Sequence, residues 1–366
     1  MSGETHRLVV DLADRPYLIA IGPQAIDDLA DVVPWPSGAS RAAIVTEPAV
    51  AEHHGARVRN AVAEAGLEPR EFLVPPGEPS KSFGVLEDLL GQFADWPLGR
   101  SDVVVALGGG VVGDLAGFAA AVWNRGVAVV QLPTTLLAQV DSAVGGKTGI
   151  NLPQGKNLVG AFHQPLGVVA DISTLATLPA RERRAGLGEV TKYGFIEDPG
   201  LLDLLEQQPD AAVAGDPVVL TQVVRRGLAV KARIVAADER ESGERALLNY
   251  GHTFAHAIEA LAGYGTYRHG EAVAIGMVAA AELSVATGAA QPGLAERTRH
   301  VLAGLGLPTG GVDAGVDAMW DVMRRDKKAA ASGVRFVLCR RPGETFVAPE
   351  PDRALVDRAL RAIGCS

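Results

Sequence analysis

DVVVALGGGVVGDLAGFAAAV, residues 102–122, passes from a β-branched apolar run through three glycines into an alanine-rich stretch of helical character. Gly108, Gly110 and Gly113 satisfy G-x-G-x-x-G. With a strand before it and a helix after it, such a loop lets backbone N–H groups approach a pyrophosphate at the positive end of the helix. Several strands precede this one, so the loop does not sit on the first βαβ unit.

Working outward, AAIVT (42–46), EFLV (71–74) and VAVVQL (127–132) also read as strands, and 49–65, 82–95 and 111–124 as helices. Alternation of this kind predicts parallel strands covered by helices on both faces. RLVVDL (7–12) and YLIAIG (17–22), split by Arg15-Pro16, predict an N-terminal hairpin. After Pro179 the pattern changes. Residues 181–195, 197–207, 216–238, 245–262, 270–287, 293–305 and 315–328 have helical periodicity, and only VRFVLC (334–339) and ETFVAP (344–349) read as extended. The expectation is an α/β domain followed by a mostly helical one, with a boundary near 178–182 and a site in the cleft between them.

The chain has 366 residues, enough for two domains, with 48% hydrophobic and 21% charged residues. A net charge of −9 argues against nucleic acid or an anionic membrane as partner. Two cysteines, Cys339 and Cys365, form no disulfide framework and no metal-ligand spacing, as expected for a reducing cytosol. Residues 1–30 carry charges throughout, so no signal peptide is expected, and no apolar run is expected to span a membrane.

Lysine is scarce. Of 34 basic residues only Lys81, Lys147, Lys156, Lys192, Lys231, Lys327 and Lys328 are lysines. All seven fall in segments dense with glycine, acids, Asn or His, which points to a cationic pocket for a phosphorylated small molecule. The segment 133–157 reads as a second ligand loop and gathers Thr134, Thr135, Asp141, Lys147, Lys156 and Asn157. It is not an ATPase loop, because Asp141 stands where G-x-x-x-x-G-K needs its first glycine. Glu47, at the end of an earlier strand, is placed to accept from a ribose hydroxyl or to lie in solvent.

Three of eight histidines cluster, His252, His256 and His269. GHTFAH puts His252 and His256 at i, i+4, so spacing alone makes them the obvious ligand pair or a structural pair. Glu189 and Lys192 lie at i, i+3 on another helix, and carboxylate plus imidazoles suit Zn²⁺ or a similar ion with an open position. Arg245 and Asn249, four apart, are expected on one helix face, with the Arg fork suited to a carboxylate, a phosphate or the acids of AADERESGE (236–244).

These segments resemble one family. GGGVVGDLAGFAAA, LPTTLLAQVDSAVGGKTGIN, GKNLVGAFHQP, GEVTKYGFI, LNYGHTFAHAIE, HGEAVAIGM and DKK, in this order, are similar to the 3-dehydroquinate synthase family of sugar phosphate cyclases. The resemblance implies an α/β, Rossmann-like NAD-binding domain over 1–179 and a mostly α-helical metal- and substrate-binding domain over 180–366. It implies Glu189, His252 and His269 as ligands of Zn²⁺ or Co²⁺, which moves His256 to the substrate side. Asp141, Lys147, Asn157, Lys192, Lys231, Arg245, Asn249, His256 and Lys327 match the family's substrate pocket, with Arg125 near the phosphate. Glu78, Lys81, Gly109, Gly110, Val111, Asp114, Thr134, Thr135, Lys156 and Thr177 match its NAD site. TEPAV (46–50) departs from the pattern, with Glu47 and Ala49 where the family more usually has Asp and Asn.

The implied activity is that of a carbon–oxygen lyase of the shikimate pathway, turning 3-deoxy-D-arabino-heptulosonate 7-phosphate into 3-dehydroquinate and phosphate. The implied partners are a phosphorylated sugar acid and a second copy in a homodimer. A sister cyclase such as aminodehydroquinate synthase, and a metal-dependent polyol dehydrogenase of the same fold, are the alternatives.

Overall fold

The computed structural model describes residues 5–241, 243–263, 265–326 and 334–366. The chain forms two compact units, Met1–Leu178 with Leu220–Glu239, and Pro179–Val219 with Arg240–Ser366. The division expected at 179/180 differs from this in one stretch. Nearly all of residues 220–239 lie in a long helix, Pro217–Ala237, and helical periodicity assigns them to the second domain. Their polar partners assign them to the first. Lys231 Nζ donates to Asp141 Oδ1 at 2.6 Å, and Glu239 accepts from Gln164 at 2.9 Å.

The first unit is built on a seven-stranded sheet of β1 (His6–Val10), β2 (Tyr17–Gly22), β3 (Arg41–Thr46), β4 (Glu68–Leu73), β5 (Val103–Gly108), β6 (Ala128–Pro133) and β9 (Gly167–Asp171). The spatial order is β1-β2-β9-β6-β5-β3-β4. Only the β1–β2 hairpin is antiparallel. From β4 to β9 this is a doubly wound order, in which the chain lays β4 on one side of β3 and then β5, β6 and β9 on the other. The reversal point lies between β3 and β5, the position at whose carboxyl strand ends open α/β sheets bind their ligands. Thr46 pairs with Leu107 there, so Glu47 and the glycine loop leave the sheet side by side.

β5 is apolar without interruption because both of its faces are covered. Val104 and Ala106 pack with Leu86, Leu89, Phe93, Leu115 and Ala119 of the helices Phe83–Asp95 and Gly110–Val122. Val103, Val105 and Leu107 pack with Ile26, Leu29, Val58 and Val62 on the opposite face.

Two elements differ from expectation. The segment 133–157, expected as a ligand loop, contains β7 (Lys147–Leu152) and enters β8 (Gly155–Phe162), an antiparallel hairpin outside the main sheet. Its glycines mask the strand pattern, but they are also what lets the two strands close. At Gly160 a methyl group would collide with the Thr148 carbonyl oxygen. The strand β9, GVVAD, is unexpected because it ends in a charge. Asp171 is fully buried, and its carboxylate accepts from the N–H groups of Gln24, Ile26 and Ser173.

In the second unit the helices Ala180–Ile196, Pro199–Gln207, His269–Ala286, Gly293–Gly304 and Val316–Asp326 follow the expected pattern, as do the paired strands Phe336–Arg341 and Glu344–Ala348. The predicted helix 245–262 is instead a 3₁₀ turn, Glu244–Asn249, followed by an α-helix from His252. Contrary to expectation, the helix His269–Ala286 is long and apolar enough to cross a membrane, with mean hydropathy 1.2 over 18 residues. It is 72% buried inside the protein and apolar on every side, as a central core helix is.

Candidate metal and nucleotide sites

Glu189, His252 and His269 converge in the second unit, with one ligand atom of each within 4.8 Å of the others. Glu189 lies on the third turn of the helix Ala180–Ile196, and the two histidines each open a helix. His252 Nε2 and His269 Nε2 both stand 3.3 Å from Glu189 Oε1. Lys192, one turn after Glu189 and equally buried, pairs with the other carboxylate oxygen.

Glycines make this convergence possible. At Gly188 a methyl group would strike the Gly270 carbonyl oxygen, and at Gly270 it would strike that of Ala185. Gly251 has φ +84° and sits against Met277, while a methyl group at Gly276 would meet the Gly251 carbonyl oxygen. The helices bearing Glu189 and His269 therefore cross backbone to backbone, and the turn before His252 lies against the same helix.

Sealed from solvent, neither Glu189 oxygen makes a hydrogen bond of good geometry among the described residues. A carboxylate faced by two imidazole nitrogens is a donor set suited to a divalent cation with an open position. The protonation states fit as well. Burial opposes charge on Glu189, but Lys192 and the imidazoles outweigh it and hold the carboxyl well below its usual range. Burial, and after it the Lys192 ammonium, lower His252 to about 4, so this ring is neutral at pH 7. For His269 the cost of burial is outweighed by the carboxylates of Glu189 and Glu259, which raise it to about 10.

His256, expected beside the substrate, projects from the next turn and is exposed, its ring 5.6 Å from His252 and 6.2 Å from His269. It is not part of the three-residue cluster, so the imidazole that joins His252 on Glu189 is that of His269 and not the i, i+4 neighbour that spacing favours. Arg245 is buried and Asn249 half-buried on the 3₁₀ turn, where three residues per turn takes them off the shared face expected of an α-helix. Asn249 Nδ2 donates to Glu241 Oε1 at 2.9 Å. Sequence reading offered the acids of 236–244 as partners of this segment without singling out Glu241. Its backbone is the signal, with φ +59° in a non-glycine residue. Lys327 and Lys328 lie outside the described residues.

In the first unit Gly109 caps the helix Gly110–Val122, and Gly110 and Val111 form its first turn. Thr134 follows onto this loop, donating its N–H to the Gly108 carbonyl at 2.9 Å. Thr135 caps the next turn, its Oγ1 accepting from Ala138 N–H at 3.1 Å. Lys81 is buried and joins two groups, with its Nζ 2.6 Å from Asp114 Oδ2 and also on Asn157 Oδ1. Burial raises the Asp114 carboxyl even though Lys81 opposes the change. Asn151 completes the network by donating to Glu78 Oε1 at 2.6 Å and accepting from Asn157 N–H at 2.8 Å. Asn157, expected on the substrate side, is thereby gathered with Glu78, Lys81 and Asp114, and Asn151 is a member that sequence reading missed.

Asp141 sits in a widened helical turn, Ala138–Ser142, paired with Lys231. Lys147, Lys156 and Arg125 are exposed. Arg125 has φ +67° directly after Asn124 at +49°, a costly pair of left-handed residues of the kind that aims side chains at functional sites. Glu47 is half-buried, and burial raises its carboxyl. Thr177, also exposed, is tied to His54 Nε2 at 2.9 Å.

Fold and centres together define a two-domain enzyme with a glycine loop for an anionic ligand and a Glu–His–His set for a divalent cation. The N-terminal 3-dehydroquinate synthase model matches residues 71–185 and the C-terminal model residues 186–329, and the chain belongs to this family of sugar phosphate cyclases. A crystal structure of 2-deoxy-scyllo-inosose synthase complexed with carbaglucose-6-phosphate, NAD⁺ and Co²⁺ is similar, with 25% identity, a TM-score of 0.88, and 97% of this chain and 99% of that one covered. So is 2-epi-5-epi-valiolone synthase from Streptomyces hygroscopicus subsp. jinggangensis 5008 with NAD⁺ and Zn²⁺ bound, at 26% identity and TM-score 0.87, covering 96% and 98%. A probable glycerol dehydrogenase from Sinorhizobium meliloti 1021 shares the fold, at 18% identity and TM-score 0.65, covering 93% and 94%.

Proposed function

We propose that this chain is a 3-dehydroquinate synthase, converting 3-deoxy-D-arabino-heptulosonate 7-phosphate to 3-dehydroquinate and phosphate with NAD and Zn²⁺ or Co²⁺. Among sugar phosphate cyclases the choice rests on Arg245, a guanidinium 2% exposed in the unit that carries the Glu–His–His set. A buried Arg fork suits a substrate carboxylate, which a simple hexose phosphate lacks.

In this reading Glu189, His252 and His269 hold the ion, and Gly109, Gly110, Val111 and the Lys81–Asp114 network hold the dinucleotide. When bound, NAD supplies transient oxidation and re-reduction of one alcohol, and the ion supplies Lewis acidity toward its oxygen. Arg245 orients the substrate by its carboxylate. Arg125, Lys147 and Lys192 balance the phosphate charge as the C–O bond breaks, after a proton leaves the carbon beside the transient ketone. His256, exposed and with imidazole chemistry, carries a proton to or from the substrate. Re-reduction of the ketone restores NAD, after which the hemiketal ring opens and closes again by an intramolecular aldol addition.

The test is one assay of purified protein with NAD⁺, Zn²⁺ or Co²⁺ and the heptulosonate phosphate. Equal amounts of phosphate and dehydroquinate, with no net NADH, are expected. Turnover of the amino analogue or of a carboxylate-free sugar phosphate in its place, or steady NADH accumulation, would overturn the reading.

A further inference from the structure

Glu259 lies seven residues after His252 on the helix His252–Ala262, two turns along the same face. Its Oε2 is 3.2 Å from His269 Nδ1. A carboxylate only accepts, so the Nδ1 proton points at Glu259, and Nε2, on the far edge of the ring, faces Glu189. Among the described residues His252 Nδ1 has instead a 3.4 Å contact to the Tyr250 carbonyl oxygen. Of the three ligand side chains His269 is the most exposed, at 31% against 11% for His252 and 0% for Glu189. It is the ligand least held by packing, and the one given a charged tether.

We propose that Glu259 is a positioning residue of the metal centre, fixing the ring of His269 so that Nε2 is the ligand nitrogen. One rigid helix then carries both the ligand His252 and the anchor of the ligand His269, and so sets the separation of the two imidazoles. The added carboxylate also makes His269 a more basic ligand and brings negative charge toward the cation. This inference rests on the reading of Glu189, His252 and His269 as metal ligands.

The test measures Co²⁺ and Zn²⁺ affinity by competition with a chelator, and the visible absorption of the Co²⁺ form, for the wild type, Glu259→Gln and Glu259→Ala. Glu259→Ala is expected to bind about 10- to 100-fold more weakly, with an altered Co²⁺ spectrum, while the metal-free protein keeps its circular dichroism and melting temperature. Glu259→Gln, which keeps an acceptor and loses the charge, is expected to fall between the two. Wild-type affinity and spectrum in Glu259→Ala would overturn the proposal. Should that variant not fold, Glu259→Gln decides in the same way, with unchanged affinity counting against it. A wild type that binds neither ion would overturn the metal reading itself, a result distinct from any difference between variants.

Discussion

Lys231 Nζ donates to Asp141 Oδ1 at 2.6 Å across 90 residues of sequence, an ion pair with the ammonium buried and the carboxylate 29% exposed. Removing one partner of a buried pair leaves the other uncompensated. Asp141 keeps part of its hydration, so Lys231→Met is expected to cost about 1–3 kcal/mol, less than a fully buried pair. Urea unfolding of the first unit is the measurement, and an unchanged midpoint would show the pair to be energetically idle.

The Glu–His–His centre predicts metal-linked stability. A cation at about 100 times its Kd is expected to add about 2.7 kcal/mol to the unfolding free energy. Chelation should reverse this, and Glu189→Ala or His252→Ala should abolish the response. Thermal melts with and without Zn²⁺ decide it, since a centre that binds no ion leaves all of these curves superimposed.

The backbone crossing at Gly188 and Gly270 leaves no room for a methyl group. Gly188→Ala or Gly270→Ala is expected to cost about 3 kcal/mol or more and to separate Glu189 from His269. Gly84→Ala, at a position with nothing near the added carbon, is the control and should be close to neutral. Comparable soluble yield and metal affinity for all three variants would refute the crossing.

Asp102 ties the start of β5 to that of β3. Its carboxylate accepts from the N–H groups of Ser40 and Arg41 at 2.9 Å and of Gly99 at 2.7 Å. Burial works against the charge, but these bonds outweigh it and hold the carboxyl below its usual range. A depressed carboxyl stabilises above its unfolded pKa of about 3.9, and that contribution is lost as pH falls through the lower folded value. Asp102→Ala is therefore expected to lose about 2–4 kcal/mol at pH 7 and to show a smaller loss of stability below pH 4 than the wild type. Parallel pH profiles for the two proteins would contradict this.

Where one physical signal dominated, the sequence was legible. β5 and its glycine loop, with a continuous apolar run and three spaced glycines, were readable as strand, turn and helix, and they occur as Val103–Gly108 and Gly110–Val122. The helices around Glu189 and His269 were equally plain from periodicity. What escaped was set by tertiary contact. β7 and β8 were hidden because the glycines that let them pair look like those of a loop. Arg245 and Asn249 were placed on an α-helix because composition does not distinguish a 3₁₀ turn. Glu241 and Glu259 were not singled out, because only the fold brings their partners Asn249 and His269 beside them. The i, i+4 spacing of His252 and His256 could not show that His269 meets His252 at Glu189, because His269 arrives on the next helix.

Each of Glu189, His252 and His269 has a glycine as its immediate chain neighbour, Gly188, Gly251 and Gly270. Where peptide rests on peptide, no side chain acts as a spacer, so the dimensions of the centre are those of the main chain itself. Aliphatic residues around the crossing, such as Val190, Val273 and Ile275, can be exchanged for others of similar volume without moving the ligands.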